Sequence, residues 1–182
     1  MIKQLAVYWF KKNGWRFIGI LPKKHPAVVL LFGPQTSWHD ILLAIAVRQL
    51  TRFRVRIVVD APAKKWYNRY LLHLAGIEAR IEQSSTTWMP ALIDDLKSEK
   101  RTAVAFPFNH LNQLNAYDER SFYEVTRRSG AELVLVAIDH HKRIIKFHNP
   151  FVLSGFAERD MGYIRGFFHN YYLYPAWGEE RK

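Results

Sequence analysis

The sequence contains no cysteine. Disulfides, thiolate catalysis and cysteine-ligated zinc are therefore excluded, and a cytoplasm-facing protein is permitted. No apolar run approaches the ~20 residues that a membrane-spanning helix needs. The N-terminal apolar piece Leu5–Phe10 is short for a signal peptide, and no small-x-small cleavage site follows it. Internal repeats, low-complexity tracts and linkers are missing too. Acidic residues are scarce: 16 Asp and Glu stand against 27 Lys and Arg, a formal charge of +11. That excess favours an anionic partner, whether nucleic acid, an anionic membrane, or a phosphorylated or CoA-type substrate. A cytoplasmic protein, soluble or peripheral on the inner face of a membrane, is the expectation.

Hydrophobic material is plentiful. It makes up 49% of 182 residues, which excludes disorder and suits one domain with a real core over residues 1–182. The stretch AVVLLFGPQTSWHDILLAIAV, Ala27 to Val47, organises the rest. Its continuous aliphatic start (Ala27–Phe32) suits a strand covered on both faces. Gly33 and Pro34 end the strand, and Ile41–Leu50 reads as an apolar helix. Thr36, Ser37 and Asp40 each offer an oxygen to the orphan N–H groups at that helix's start. Polar side chains thus collect between a strand's carboxyl end and a helix's amino end, where anionic ligands and chemistry usually sit in α/β proteins.

Further strands are expected at Arg52–Val59, Ile77–Ile81, Thr102–Phe106, Glu132–Asp139 and Arg143–Phe147. Helices are expected at Lys64–Ala75, closed by Gly76, at Trp88–Lys97, at Arg120–Ser129, closed by Gly130, and at Arg159–Tyr171. The tail after Pro175 reads as loose. This alternation predicts an α/β fold with a mostly parallel central sheet flanked by helices. Residues Ile2–Phe17 have roughly helical spacing with lysine-flanked aromatics. They suit either a helix lying in a bilayer interface or one packed on its own domain.

The order of these elements and their motifs resembles the glycerolipid acyltransferase superfamily, lysophosphatidic acid acyltransferase type, in its short bacterial form. Members carry a His-Thr-Ser-x-x-Asp motif, often PHTSNWD; Pro34-Gln35-Thr36-Ser37-Trp38-His39-Asp40 is similar, with Pro34, Thr36, Ser37 and Asp40 in place. Trp66–Ile81 is similar to the stretch ending GGIPVDR, with Gly76-Ile77 in register. Pro107 matches the proline of PEGTR. The resemblance spans roughly Gly14 to Phe168. It implies a glycerol-phosphate-acyltransferase-like fold and transfer of an acyl chain from acyl-CoA or acyl carrier protein to a lipid hydroxyl at a membrane surface. No other cofactor and no metal are implied.

Three chemistry-bearing positions depart from that pattern. Gln35 replaces the histidine base, Phe108-Asn109-His110-Leu111 follows Pro107 where the glutamate and arginine of PEGTR belong, and Ile81 replaces an arginine, with Arg80 one place early. A carboxamide has no basic lone pair near neutral pH, so Gln35 hydrogen-bonds but cannot take the attacking hydroxyl's proton. Losing a positioned base costs about 10²–10⁴ in rate. The candidate replacements are His39, beside Asp40 in the chain, and His110, on the loop after Pro107. Asp40 either caps the helix or holds Gln35 by a hydrogen bond. Thr36, Ser37, Asn109, Arg80, Lys64 and Lys65 are the candidate substrate contacts.

Two classes follow: an active acyltransferase with a rebuilt site, and a catalytically silent relative that binds lipid or a partner enzyme. The motif losses favour the second. A membrane surface or lipid-like substrate is the expected partner. The basic-aromatic segment Lys64–Ala75 has no accompanying nucleic-acid motif, so nucleic acid is not expected. His140, His141 and His148 lack a carboxylate cluster, and adjacent residues at a strand end face opposite ways, so no metal site is expected there.

Overall fold

A computed structural model describes residues 2–19, 27–32, 44–49, 53–60, 73, 78–82, 89–98, 102–107 and 116–172. Seven strands occur among them: β1 (Arg16–Ile18), β2 (Ala27–Phe32), β3 (Arg54–Asp60), β4 (Glu78–Glu82), β5 (Thr102–Pro107), β6 (Glu132–Asp139) and β7 (Ile144–Phe147). They form one sheet in the order β1-β7-β6-β2-β5-β3-β4. Every neighbouring pair is parallel except β6–β7, so β1 and β7 run against the other five strands. The expected α/β architecture with a mostly parallel sheet is present.

The helices are α1 (Ile2–Lys12), α2 (helical over 44–49), α3 (Met89–Lys97), α4 (Ala116–Ser129) and α5 (Ala157–Tyr172). They divide between the two faces of the sheet. Because side chains alternate along a strand, Val28 and Leu30 of β2 join Val55, Ile57, Ala103, Ala105, Val134 and Val136 on one face, under α1 and α2. Val29 and Leu31 join Val104, Phe106, Leu133 and Leu135 on the other, under α3, α4 and α5. Val28 to Leu31 are thus buried on both sides. Full burial of one such side chain is worth roughly 1.5–3 kcal/mol, and this is why the central strands read as unbroken apolar runs.

Most boundaries differ from expectation by one or two residues, and those of α1 and α4 by more. Helical spacing ran to Phe17, but α1 stops at Lys12 and Phe17 lies in β1. The stop is a Schellman turn. Gly14 takes φ 70°, its N–H donates to the Lys11 carbonyl at 3.0 Å, and the Trp15 N–H reaches back to the Phe10 carbonyl at 3.1 Å. Trp15 then stacks on Phe10, with ring centroids 6.3 Å apart. Helix α4 begins at Ala116 rather than Arg120; Asp118 and Glu119 sit in its first turn, where negative charge is favoured by the helix dipole. The third strand begins at Arg54 and runs one residue past Val59. Of the predicted helix Lys64–Ala75 only His73 is described, as helical and exposed; the tail after Pro175 lies outside the described residues.

Helix α1 packs on the sheet through buried Ala6 and Phe10, while Leu5 and Tyr8 stay 56% and 61% exposed. No helix among the described residues is long and apolar enough to cross a membrane.

One buried polar contact ties a helix to the sheet, and a second cluster ties α5 to α4 and to the segment before α5. Arg56 on β3 is buried and ion-paired with the half-buried Asp95 of α3. Asp160 of α5 accepts hydrogen bonds from the Tyr123 hydroxyl (3.0 Å), the Ser154 hydroxyl (2.7 Å) and the Ser154 N–H (3.0 and 3.2 Å to its two oxygens). Burial pushes the Asp160 carboxyl up, but these donors outweigh it and hold the group below its ordinary value. The Tyr123 hydroxyl is raised, first by burial and then by its bond to that carboxylate. At the sheet's edge, Gly19 takes φ 107°, and a Cβ there would run into the Phe147 carbonyl. Only glycine fits this approach of β1's end to β7.

Candidate functional site

Strands β2 and β5 are parallel neighbours, with Phe32 opposite Pro107 at their carboxyl ends. The helix that follows each lies on a different face of the sheet. Ile45 and Ala46 of α2 belong to one core layer, and Phe122 and Val125 of α4 to the other. The chain after β2 therefore turns to one side, and the chain after β5 to the opposite side. In open α/β sheets such a divergence marks the place, outside the strand ends, at which ligands bind; the residues next to these two ends, 33–43 and 108–115, lie outside the described ones.

The two segments singled out in the sequence start from this point. Gln35 stands three residues past Phe32, and His110 three residues past Pro107. Gln35, Thr36, Ser37, His39, Asp40, Asn109 and His110 themselves lie outside the described residues, as do Lys64 and Lys65. Arg80 lies mid-strand on β4, opposite Val58. Strand β4 is the sheet's edge, three strands from β2, so Arg80 is about 14 Å from β2 at ~4.8 Å per strand. The topology thus joins the origins of the motif after β2 and the loop after β5, and it does not bring Arg80 to them.

A cavity of about 70 Å³ lies between the sheet and α2, toward the carboxyl ends of β2 and β5. Leu30 and Phe32 of β2, Ala105 of β5 and Val136 of β6 line its floor, and Ala44 and Val47 of α2 its other wall. These strand residues belong to the carboxyl-terminal halves of β2, β5 and β6. Side chains from β3 and β7 add to it, and all the described lining residues are apolar. A water-sized group needs about 10–15 Å³ by this measure, so the space holds on the order of five methylene-sized groups. The described lining residues offer water none of the two to four polar side-chain partners it needs.

This cavity was not foreseen from the sequence. Its lining comes from separate strands, and only the strand order brings them together. The polar motif hinted at a site, but no local signal marked the apolar pocket.

The histidines weighed for metal are apart. His140 and His141 occupy the turn after β6, and His148 follows the far end of β7. His140 packs edge-on against Trp15, with centroids 5.5 Å apart. The two ring nitrogens of His148 lie 2.9 Å from the Asn149 carbonyl and 2.8 Å from the Tyr163 hydroxyl. Among the described residues no group of three His, Asp or Glu side chains is placed to hold a metal ion.

The sequence matches no protein-family model and no curated protein.

Proposed function

We propose that the protein binds the acyl chain of a lipid or acyl thioester in the cavity beneath α2, with the polar end of the ligand at the carboxyl ends of β2 and β5. The observation that carries this reading is the adjacency itself: a pocket whose described lining is apolar, beside the strand ends from which the Pro34–Asp40 motif and the Asn109–His110 loop depart. The cavity would take the end of the chain, and the strand ends the carbonyl and headgroup. On the acyltransferase-like reading of the motifs, the donor is acyl-CoA or acyl carrier protein and the acceptor a lipid hydroxyl. Gln35 stands where that chemistry needs a base, so the native chain holds its ligand and transfers it poorly, if at all.

A second reading is favoured by one observation, the register pairing of Phe32 with Pro107. It starts the loop carrying His110 next to the motif carrying Gln35 and Asp40. In this reading His110 takes the hydroxyl proton and the protein is an active acyltransferase with a relocated base.

Ala105→Leu tests the pocket. The three added carbons enter existing space, so the change is expected to cost less than about 1.5 kcal/mol of stability. Binding of a long-chain acyl-CoA, followed by calorimetry, should weaken at least tenfold. Unchanged binding in a folded Ala105→Leu protein would place the acyl chain elsewhere.

A further inference from the structure

Helix α1 ends where β1 begins, and β1 runs against the central strands. The last turn of α1 and the β6–β7 turn are therefore both at the carboxyl-terminal edge of the parallel strands, the edge at which β2 and β5 end. The two segments are tied together there. The Arg143 guanidinium donates to the Asn13 carbonyl at 2.7 Å, and the Arg16 N–H donates to the Arg143 carbonyl at 2.9 Å. Five cations are gathered by these contacts: Lys11, Lys12, Arg16, Lys142 and Arg143, all exposed.

No carboxylate is interleaved with them along the chain. The first Asp or Glu of the whole sequence is Asp40, and none occurs from His140 to Ala157. The Asp139 carboxylate accepts from the Lys142 N–H at 2.8 Å and so serves the turn. Among the described residues none of the five cations is in an ion pair.

The patch is not purely basic. Leu5, Tyr8 and Lys12 follow one stripe of α1 at i, i+3 and i+7, and the Lys12 ammonium lies 5.7 Å from the Tyr8 ring centroid. An exposed leucine and tyrosine beside lysines match the layered chemistry of a bilayer interface, with apolar groups at the acyl boundary and cations at lipid phosphates. An acidic protein would account for the charges but not for the exposed Leu5 and Tyr8.

We infer that this platform, the outer stripe of α1 joined to the β6–β7 turn, docks the protein on an anionic membrane with the carboxyl-terminal edge of the parallel strands turned toward the lipid. The inference goes beyond acyl-chain binding and is tested without it.

The experiment is flotation of the purified full chain with vesicles of phosphatidylcholine alone and of phosphatidylcholine with one third phosphatidylglycerol. The native protein should float with the anionic vesicles only and be released in 1 M salt, where the Debye length is about 3 Å. A lysine near an anionic surface contributes about fivefold to the partition, so Lys12→Glu with Lys142→Glu should weaken binding at least about 25-fold. The matched control is Lys97→Glu with Arg128→Glu, which makes the same change in net charge at exposed sites at the ends of α3 and α4, over the other face of the sheet. It should weaken binding far less. Equal losses in the two doubles would overturn the platform in favour of unspecific attraction by net charge. Absence of flotation with anionic vesicles would overturn membrane docking altogether, while acyl-CoA binding by calorimetry would stand or fall separately.

Discussion

Gln35→His is expected to raise the rate of acyl transfer from acyl-CoA to a lysophospholipid by about 10²–10⁴-fold over the native chain. The attacking hydroxyl must lose its proton as it forms the new ester bond, and the amide at position 35 cannot accept it. An imidazole titrates near neutral pH and can. Asp40 stands five residues on in the sequence, where the acyltransferase-like motif has its aspartate. The gain should appear in kcat. KM for a phosphorylated acceptor should stay high, because the arginine expected after Pro107 is absent and a bidentate phosphate contact goes with it. Release of CoA measured against acceptor concentration separates the two constants. A native chain that already turns over, gains little from Gln35→His and loses its rate in His110→Gln would establish the relocated base instead. No increase in any acceptor, with acyl-CoA still bound, would remove acyl transfer from this scaffold's repertoire.

Asp95→Ala should be strongly damaging to the fold. It removes the described ion-pair partner of Arg56, which is only 7% exposed on β3 beneath α3. Removing one member of a buried pair costs about 3–5 kcal/mol, because the remaining charge stays desolvated. Asp95 itself is 30% exposed, so water reaches the vacated place and the loss should fall at the lower end. In a chain of this length each kcal/mol moves the melting temperature by roughly 2–4 °C, and thermal unfolding should therefore shift down by at least about 6 °C. Combining Asp95→Ala with Arg56→Met should restore most of that, since an apolar side chain of similar length suits the surrounding Val58 and Leu92 layer. A single-variant shift within 2 °C would mean that the ion pair is not what holds α3 on the sheet.

The sheet was legible because of its burial. Val28–Leu31, Val104–Phe106 and Leu133–Val136 are covered on both faces, so their sequences carry no alternation and stand out as apolar runs between turn residues. Strand β1 was missed because three residues at the sheet's edge, with exposed Arg16 and Ile18, carry no such run. Its existence follows from the Schellman turn at Gly14, whose Asn-Gly signal was present but outweighed by helical spacing on both sides. The four extra residues of α4 were hidden by their polarity. The motif Pro34–Asp40 was expected to follow a strand's carboxyl end, and β2 does end at Phe32. That β5 is the neighbour, and that α2 and α4 diverge to opposite faces, are properties of strand order, which local sequence does not encode. The same holds for the cavity and for the meeting of Asn13 with Arg143, which are 130 residues apart.

The most direct test is photolabelling with an acyl-CoA that carries a diazirine near the end of its chain, followed by mass-spectrometric mapping of the adducts. A chain seated under α2 should label residues 44–49 and the carboxyl-terminal halves of β2 and β6, and excess unlabelled acyl-CoA should protect them. Adducts confined to α3, α4 and α5 on the other face of the sheet, or no protectable adduct at all, would contradict an acyl chain lodged beside the carboxyl ends of β2 and β5.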